Sequence, residues 1–143
     1  MKFELIIDPA AEEKVTVVAR SRNGIAAKIE ALIEQTELDM IGYSGKEGEK
    51  ISLDDVCFFA AEGDKIFAFL GDKKLHIKSR LYLLEERLPQ NFVKINQSCL
   101  ANIKMITRFD ASVSGTLMVF FKNGKSDYVS RRQLKHVKER LGI

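Results

Sequence analysis

The sequence predicts a mainly β domain with short helices, preceded by a small α+β extension. From Ile51 onward, short runs of alternating apolar and polar residues are separated by turns rich in Gly, Asp and Asn, which is typical of an antiparallel meander. Before that point, apolar residues recur at strand spacing near the N-terminus and then at helical spacing. We therefore divide the chain into an extension, residues 1–46, and a main domain, residues 47–143.

The extension is predicted to contain strands over residues 2–8 and 14–19, a helix over about 25–37 and a further strand over 38–43. Pro9 ends the first strand, because its ring fixes φ and its nitrogen carries no hydrogen. The apolar stripe of the helix consists of Ile25, Ile29, Leu32, Ile33 and Thr36. Such a stripe packs either on the chain's own domain or on a second copy of the chain, and the sequence leaves both open.

The main domain is predicted to be a series of short strands with two helices. Its strands lie around residues 56–60, 66–70, 75–77, 92–106 (with a turn inside it), 116–122 and 125–129. Asn123-Gly124 predicts a hairpin, because both residues tolerate positive φ. A helix over residues 81–88 is expected to have Ser79 as its cap and to end at Pro89. A second helix is expected to begin with a capping box at Ser130–Gln133.

Basic and acidic side chains are unevenly distributed. The net charge is +3, but residues 1–50 carry 7 basic and 10 acidic side chains, whereas residues 51–143 carry 16 basic and 10 acidic ones. A polyanionic partner is therefore expected to bind the main domain. No apolar run approaches the roughly 18 residues of a membrane span, and the N-terminus has no signal-peptide pattern. We expect a cytoplasmic protein without membrane insertion.

The sequence contains no arrangement typical of an enzyme or a metal site. Cys57 and Cys99 fit no ligand spacing and are expected to be buried free thiols, and His76 and His136 lie far apart. There is no nucleotide-binding loop, no paired-carboxylate motif and no Ser–His–acid arrangement. We therefore predict no metal, no cofactor and no catalytic residues.

The segment 92–106 carries the most informative polar side chains. Lys94, Asn96, Gln97 and Ser98 place one cation and three neutral hydrogen-bonding groups within five positions. Long amides can pair bidentately with a base edge, and lysine can contact phosphate or guanine. The alternative is a strand, turn and strand whose polar side chains simply face water.

Arg131 and Arg132 follow the predicted cap, in what would be the first turn of the last helix. Cations are unfavourable there, because the helix dipole places partial positive charge at the N-terminus. A phosphate that also meets the backbone N–H groups would explain their position.

Four motifs over about residues 51–141 resemble, in order, the LytTR family of bacterial DNA-binding domains. Ile51–Val56 is similar to an opening I-x-x-x-D-I strand, and Leu81–Leu88 to a short helix that follows. Phe92–Ser98 with Asn102 is similar to an F-x-R-x-H-x-S … V-N signature. The last motif, similar to K-N-G … V-S-R-R, consists of Lys122–Gly124 and Val129–Arg132.

The resemblance implies a β fold of small sheets in which loops and turns, rather than a recognition helix, enter successive major grooves. The DNA-contacting positions that it implies are the loop around Asp64 and Lys65, the pair Asn96-Gln97, and Arg132 with Arg131 beside it. Together with the polar segment, the candidate DNA-binding residues are Lys65, Lys94, Asn96, Gln97, Ser98, Arg131 and Arg132. Asn96 stands where His is usual and Lys94 where Arg is usual, which leaves the base preference open. The short extension resembles the regulators of this family that lack a receiver domain.

The expected function is that of a sequence-specific transcriptional regulator that binds repeated half-sites in double-stranded DNA as a homodimer. An alternative stays open, in which the chain is a protein-interaction module whose basic residues bind an acidic partner.

Overall fold

A computed structural model describes residues 4–12, 14–21, 24–37, 40–113 and 115–143. These residues form three helices: α1 (Gly24–Glu37), α2 (Leu81–Arg87) and α3 (Leu134–Leu141). They also form the strands β1 (Ile41–Ser44), β2 (Glu47–Lys50), β3 (Phe58–Glu62), β4 (Lys65–Leu70), β5 (Lys73–Ile77), β6 (Phe92–Asn96), β7 (Cys99–Asn102), β8 (Ile106–Val113), β9 (Thr116–Phe121) and β10 (Ser126–Val129). The predicted mainly β fold with short helices is confirmed.

The strands form two antiparallel sheets. The larger sheet has seven strands in the order β2-β1-β5-β4-β3-β7-β6, and the smaller has three in the order β10-β9-β8. Two pairings in the larger sheet join distant parts of the chain, β1 with β5 and β3 with β7. The second pairing brings the β6–β7 turn beside β3, where the Ala61 N–H donates to the Ser98 carbonyl at 2.8 Å.

The larger sheet is covered on both faces, so some of its strands carry apolar residues at consecutive positions. Phe58 and Phe59 on β3 point to opposite faces, because side chains alternate along a strand. One core lies beneath α2 and includes Leu84. The other lies between the larger sheet, the smaller sheet and α3, and includes Val119 and Val137. The sheet is thereby a rigid platform for the turns at its ends.

β1 and β2 extend the larger sheet, although the predicted division after residue 46 falls in the turn between them. β1 is held by β5, with Tyr43 opposite His76. Only glycine fits at position 42, because a Cβ there would lie 2.7 Å from the Leu75 Cβ. By its pairing, β1 therefore belongs to the same sheet as the strands of the main domain.

The strands predicted over residues 2–8 and 14–19 are not formed in the part of them that the structure describes. Residues 4–8 and 14–19 adopt no regular structure, and Ile7 is 84% and Val18 93% exposed. Strand propensity alone does not order a segment, because its backbone groups need a partner strand. Phe3 lies outside the described residues. The predicted helix is confirmed as α1.

Both predicted serine caps are wrong. α2 begins after Arg80, and the Ser79 hydroxyl donates to the Arg80 carbonyl at 3.4 Å instead of capping the helix. α3 begins only at Leu134. Ser130 instead begins the turn before that helix: its carbonyl accepts from the Gln133 N–H at 3.0 Å, and its N–H donates to the Ile95 carbonyl of β6 at 2.8 Å.

Candidate nucleic-acid interface

The turn between β6 and β7 is closed by the side chain of Asn96, which is only 2% exposed. Its Oδ1 accepts a hydrogen bond from the Ser98 N–H at 2.9 Å. Its Nδ2 donates to Asp127 Oδ1 at 3.2 Å and to the Tyr128 carbonyl at 2.9 Å. Both N–H groups of this amide are therefore used within the protein.

Asn96 holds the turn in shape and has no N–H left for a base edge in this conformation. Bidentate pairing with adenine requires a donor and an acceptor from the same amide. Gln97 and Ser98 are exposed at the tip of the turn. Of the two neighbouring amides that the sequence indicated, Gln97 is the one that faces solvent.

The second asparagine of the central signature, Asn102, is structural as well. It is fully buried, and its Nδ2 donates to the Val56 carbonyl at 2.8 Å. Its Oδ1 accepts from Asn91 Nδ2 at 2.8 Å and from the Lys104 N–H at 3.1 Å. These bonds fasten β7 to the segments on either side of it.

A groove of about 990 Å³ runs beside the tip of the β6–β7 turn. The β3–β4 turn, the connection from β5 into α2, α2 itself and β6 form its walls. Its cationic residues are Lys65, Lys78, Arg80, Arg87 and Lys94, and its acidic residues are Asp64 and Glu85. Gln97 also lines it, so the structure brings three of the predicted site residues together.

The two predicted lysines reach the groove from different strands. Lys65 is exposed and opens β4 directly after Gly63, whose φ of 64° allows the tight turn from β3. Lys94 Nζ lies 4.0 Å from Glu85 Oε2, and the two side chains are 33% and 47% exposed. An ion pair this long and this exposed is weak. Lys94 can therefore exchange Glu85 for another anion at little cost.

Three cations of the groove were not found by sequence reasoning. Lys78 and Arg80 precede α2 and Arg87 ends it, so their positions in the chain do not reveal a shared surface. One usable signal exists, because residues 73–84 contain four basic side chains and no acidic one.

Arg131 and Arg132 are exposed and lie in the turn between β10 and α3, outside the lining of the groove. The prediction that they lie in the first turn of the helix is wrong, because α3 begins at Leu134; they lie just ahead of its N-terminus. Ser130, which directly precedes Arg131, donates its N–H to the Ile95 carbonyl at 2.8 Å. The arginine pair therefore follows a residue that is bonded to β6.

Cys57 and Cys99 are buried free thiols, as predicted. Burial first, and then the charge of Asp127 and a hydrogen bond to its carboxylate, raise the pKa of the Cys99 thiol well above its usual value. The thiol therefore stays protonated at neutral pH, which suppresses its reactivity. This contact places Cys99, Asp127 and Asn96 in one cluster behind the turn.

A basic groove and an exposed amide on a mainly β scaffold are features of a nucleic-acid-binding domain. The family model of LytTR, the LytTr DNA-binding domain, matches residues 46–142. The chain therefore belongs to the LytTR family of DNA-binding domains, which is defined by DNA binding and not by catalysis.

Relatives and a solved structure agree with this assignment. Uncharacterized HTH-type transcriptional regulators from Staphylococcus aureus strains NCTC 8325 / PS 47 and MRSA252 are each 36% identical over 104 residues, 73% of this chain and 71% of theirs. The LytTr DNA-binding domain of a protein described as a methyl-accepting/DNA response regulator from Bacillus cereus shares the fold, with a TM-score of 0.69 and 18% identity over 73% of this chain and 97% of that one.

The helices of this chain do not form a helix-turn-helix in the described residues, despite the names of the relatives. Five strands separate α1 from α2, and five more separate α2 from α3. Within the same described ranges, no helix is long and apolar enough to cross a membrane.

Proposed function

We propose that the chain is a sequence-specific transcriptional regulator that reads double-stranded DNA from turns. The observation that supports this best is the β6–β7 turn, in which a buried Asn96 fixes the backbone and Gln97 is exposed at the tip. A glutamine amide can pair bidentately with N6 and N7 of adenine in the major groove. Because the turn is ordered before binding, less conformational entropy is lost on contact with DNA.

Phosphate contacts are assigned to the cations on either side of Gln97. Lys65 and Lys94 share the groove with it, so they would meet the backbone that flanks the base it reads. The exposed Ser98 hydroxyl can donate to a phosphate oxygen beside them. Such contacts set the register and supply affinity without reading sequence.

A second base contact is assigned to Arg132, with Arg131 beside it. Both are exposed, and both are tied to β6 through the Ser130–Ile95 hydrogen bond of 2.8 Å. Arginine pairs bidentately with O6 and N7 of guanine. The chain would then read bases from two turns that are anchored to the same strand.

The extension is assigned to a homodimer contact. It leaves Ile7, Val18, Ile25 and Leu32 exposed, by 84%, 93%, 51% and 63%. Several large apolar side chains left exposed in one short segment favour burial against a partner. Two copies of the main domain would then bind two repeated half-sites.

Selection of duplexes from a random pool by the purified chain tests the proposal. We expect a preferred sequence whose binding survives competitor DNA and falls steeply with salt. Binding to every duplex with equal affinity would contradict it and would favour a module that binds an acidic protein.

A further inference from the structure

We propose that Asp127 is a positioning residue. Through its hydrogen bond with Asn96, its carboxylate fixes the position of the β6–β7 turn relative to β10 and the arginine turn that follows it. This inference rests on the proposed function, because it assumes that these two segments carry the base contacts. In this proposal Asp127 itself contacts no base, and the negative charge of its carboxylate is unfavourable beside DNA.

The geometry around Asn96 determines which way its amide points. Asp127 Oδ1 lies 3.2 Å from Nδ2, and the Tyr128 carbonyl lies 2.9 Å from it. Both of these partners only accept, whereas the Ser98 N–H, 2.9 Å from Oδ1, only donates. All three partners therefore require the same orientation of the amide, and a flipped amide would face two acceptors with its oxygen.

Asp127, the second residue of β10, is in turn held in place. The same Oδ1 accepts from the Tyr128 N–H at 2.8 Å, and the carboxylate also receives the hydrogen bond of the Cys99 thiol. Three residues after Asp127, the Ser130 N–H donates to the Ile95 carbonyl at 2.8 Å. The side-chain bridge at Asn96 and this backbone bond at Ile95 join the end of β6 to β10 and to the residue that follows it.

A carboxylate at this place has a cost for DNA binding, since DNA is a polyanion. Removing it should by charge alone strengthen binding to any duplex. If Asp127 positions the reading turns, its removal should at the same time weaken binding to the preferred duplex. The two effects have opposite signs, which separates positioning from simple electrostatics.

The test compares Asp127→Ala, Asp127→Asn and Asp72→Asn in the full chain. Asn at position 127 keeps an oxygen that can accept from Nδ2, and Asp72→Asn removes one charge in the exposed turn between β4 and β5. For Asp127→Ala we expect the ratio of affinities for preferred and scrambled duplexes to fall on the order of tenfold, as when a bidentate base contact is misplaced. Both asparagine variants should keep the ratio.

Amide hydrogen exchange at Ser98 reports on the turn directly and without DNA. It should become faster by about tenfold in Asp127→Ala and stay unchanged in Asp127→Asn, because the Ser98 N–H loses an oriented acceptor only in the first case. An unchanged ratio and unchanged exchange in Asp127→Ala would overturn the proposal. A parallel loss of both affinities with a lower melting temperature would also overturn it, since Asp127 would then only support the fold.

Failure of the proposed function gives a different result. If Gln97→Ala keeps the affinity ratio while Asp127→Ala lowers it and speeds Ser98 exchange, Asp127 positions the turn but Gln97 does not make the base contact. If Gln97→Ala lowers the ratio and Asp127→Ala does not, Gln97 reads bases without the help of Asp127.

Discussion

Replacing Gln97 with alanine is expected to weaken binding to the preferred duplex by about 1–3 kcal/mol, the usual value of one bidentate base contact. The hydrogen bonds that fix the turn involve the Asn96 side chain and the backbone of Ser98, which the substitution leaves in place. Because Gln97 is exposed, its loss should change the free energy of unfolding by no more than about 0.5 kcal/mol. The affinity for scrambled DNA should hardly change.

Two control variants separate base reading from other effects. Lys94→Ala should weaken binding to preferred and scrambled duplexes equally and lower the slope of log affinity against log salt by about 0.9, the contribution of one phosphate contact. Gln90→Ala makes the same chemical change at an exposed glutamine after α2, outside the groove lining, and should alter neither affinity.

Fluorescence anisotropy with labelled preferred and scrambled duplexes at two salt concentrations measures the affinity of each variant for each duplex and its salt dependence. The deciding value is the ratio of the two affinities. If Gln97→Ala keeps the ratio of the unmodified chain, base reading lies elsewhere, and the groove cation Lys65 becomes the next candidate. If Lys94→Ala changes the ratio as strongly as Gln97→Ala, the division between phosphate and base contacts is wrong.

Three other residues or segments carry separate predictions. Arg132→Ala should cost about 1–3 kcal/mol of specific binding with little change in melting temperature; a lower melting temperature with intact binding would make Arg132 structural. The pair Ile7→Ser and Val18→Ser should reduce the particle mass in light scattering, because both side chains are exposed in one copy; an unchanged mass argues against the extension as dimer contact. Above about pH 8.5 the thiol of an unfolded chain loses its proton, whereas folded Cys99, with its raised pKa, keeps it. The free energy of unfolding should therefore fall as pH rises, and should fall less in Cys99→Ala. Equal pH profiles of the two proteins in urea unfolding would contradict this.

The fold was largely predictable from sequence because its signals are local. The alternation of apolar and polar residues in the main-domain strands, the turn at Gly63 and the hairpin at Asn123-Gly124 each depend on a few neighbouring residues. Each of these features is found where expected. The segments 4–8 and 14–19 show where that reasoning ends. They have the composition of strands, but a strand forms only with a partner, and composition says nothing about whether one is near.

The site was less predictable, because it depends on contacts between distant residues. Asn96 and Gln97 are adjacent amides with similar chemistry, yet one is buried and the other exposed. The difference comes from Asp127 and Tyr128, which lie 31 and 32 positions away from Asn96 in the chain. The groove likewise joins Lys65, Lys78 and Lys94, which no spacing rule connects.

Under the proposed function, the anchoring of these turns would explain how a domain that reads bases without a recognition helix can be specific. The backbone hydrogen bonds of a helix fix the positions of its side chains, whereas the conformation of a turn has to be fixed by contacts with the rest of the fold. Here the Ala61–Ser98 and Ser130–Ile95 backbone bonds, both 2.8 Å long, fasten the turn segments to strands of a sheet covered by two cores. The entropy of ordering the turns is therefore lost when the protein folds and not when it meets DNA. On this account the neutral Gln97 can discriminate between bases, while Lys94, only weakly paired with Glu85, contacts the phosphates beside it.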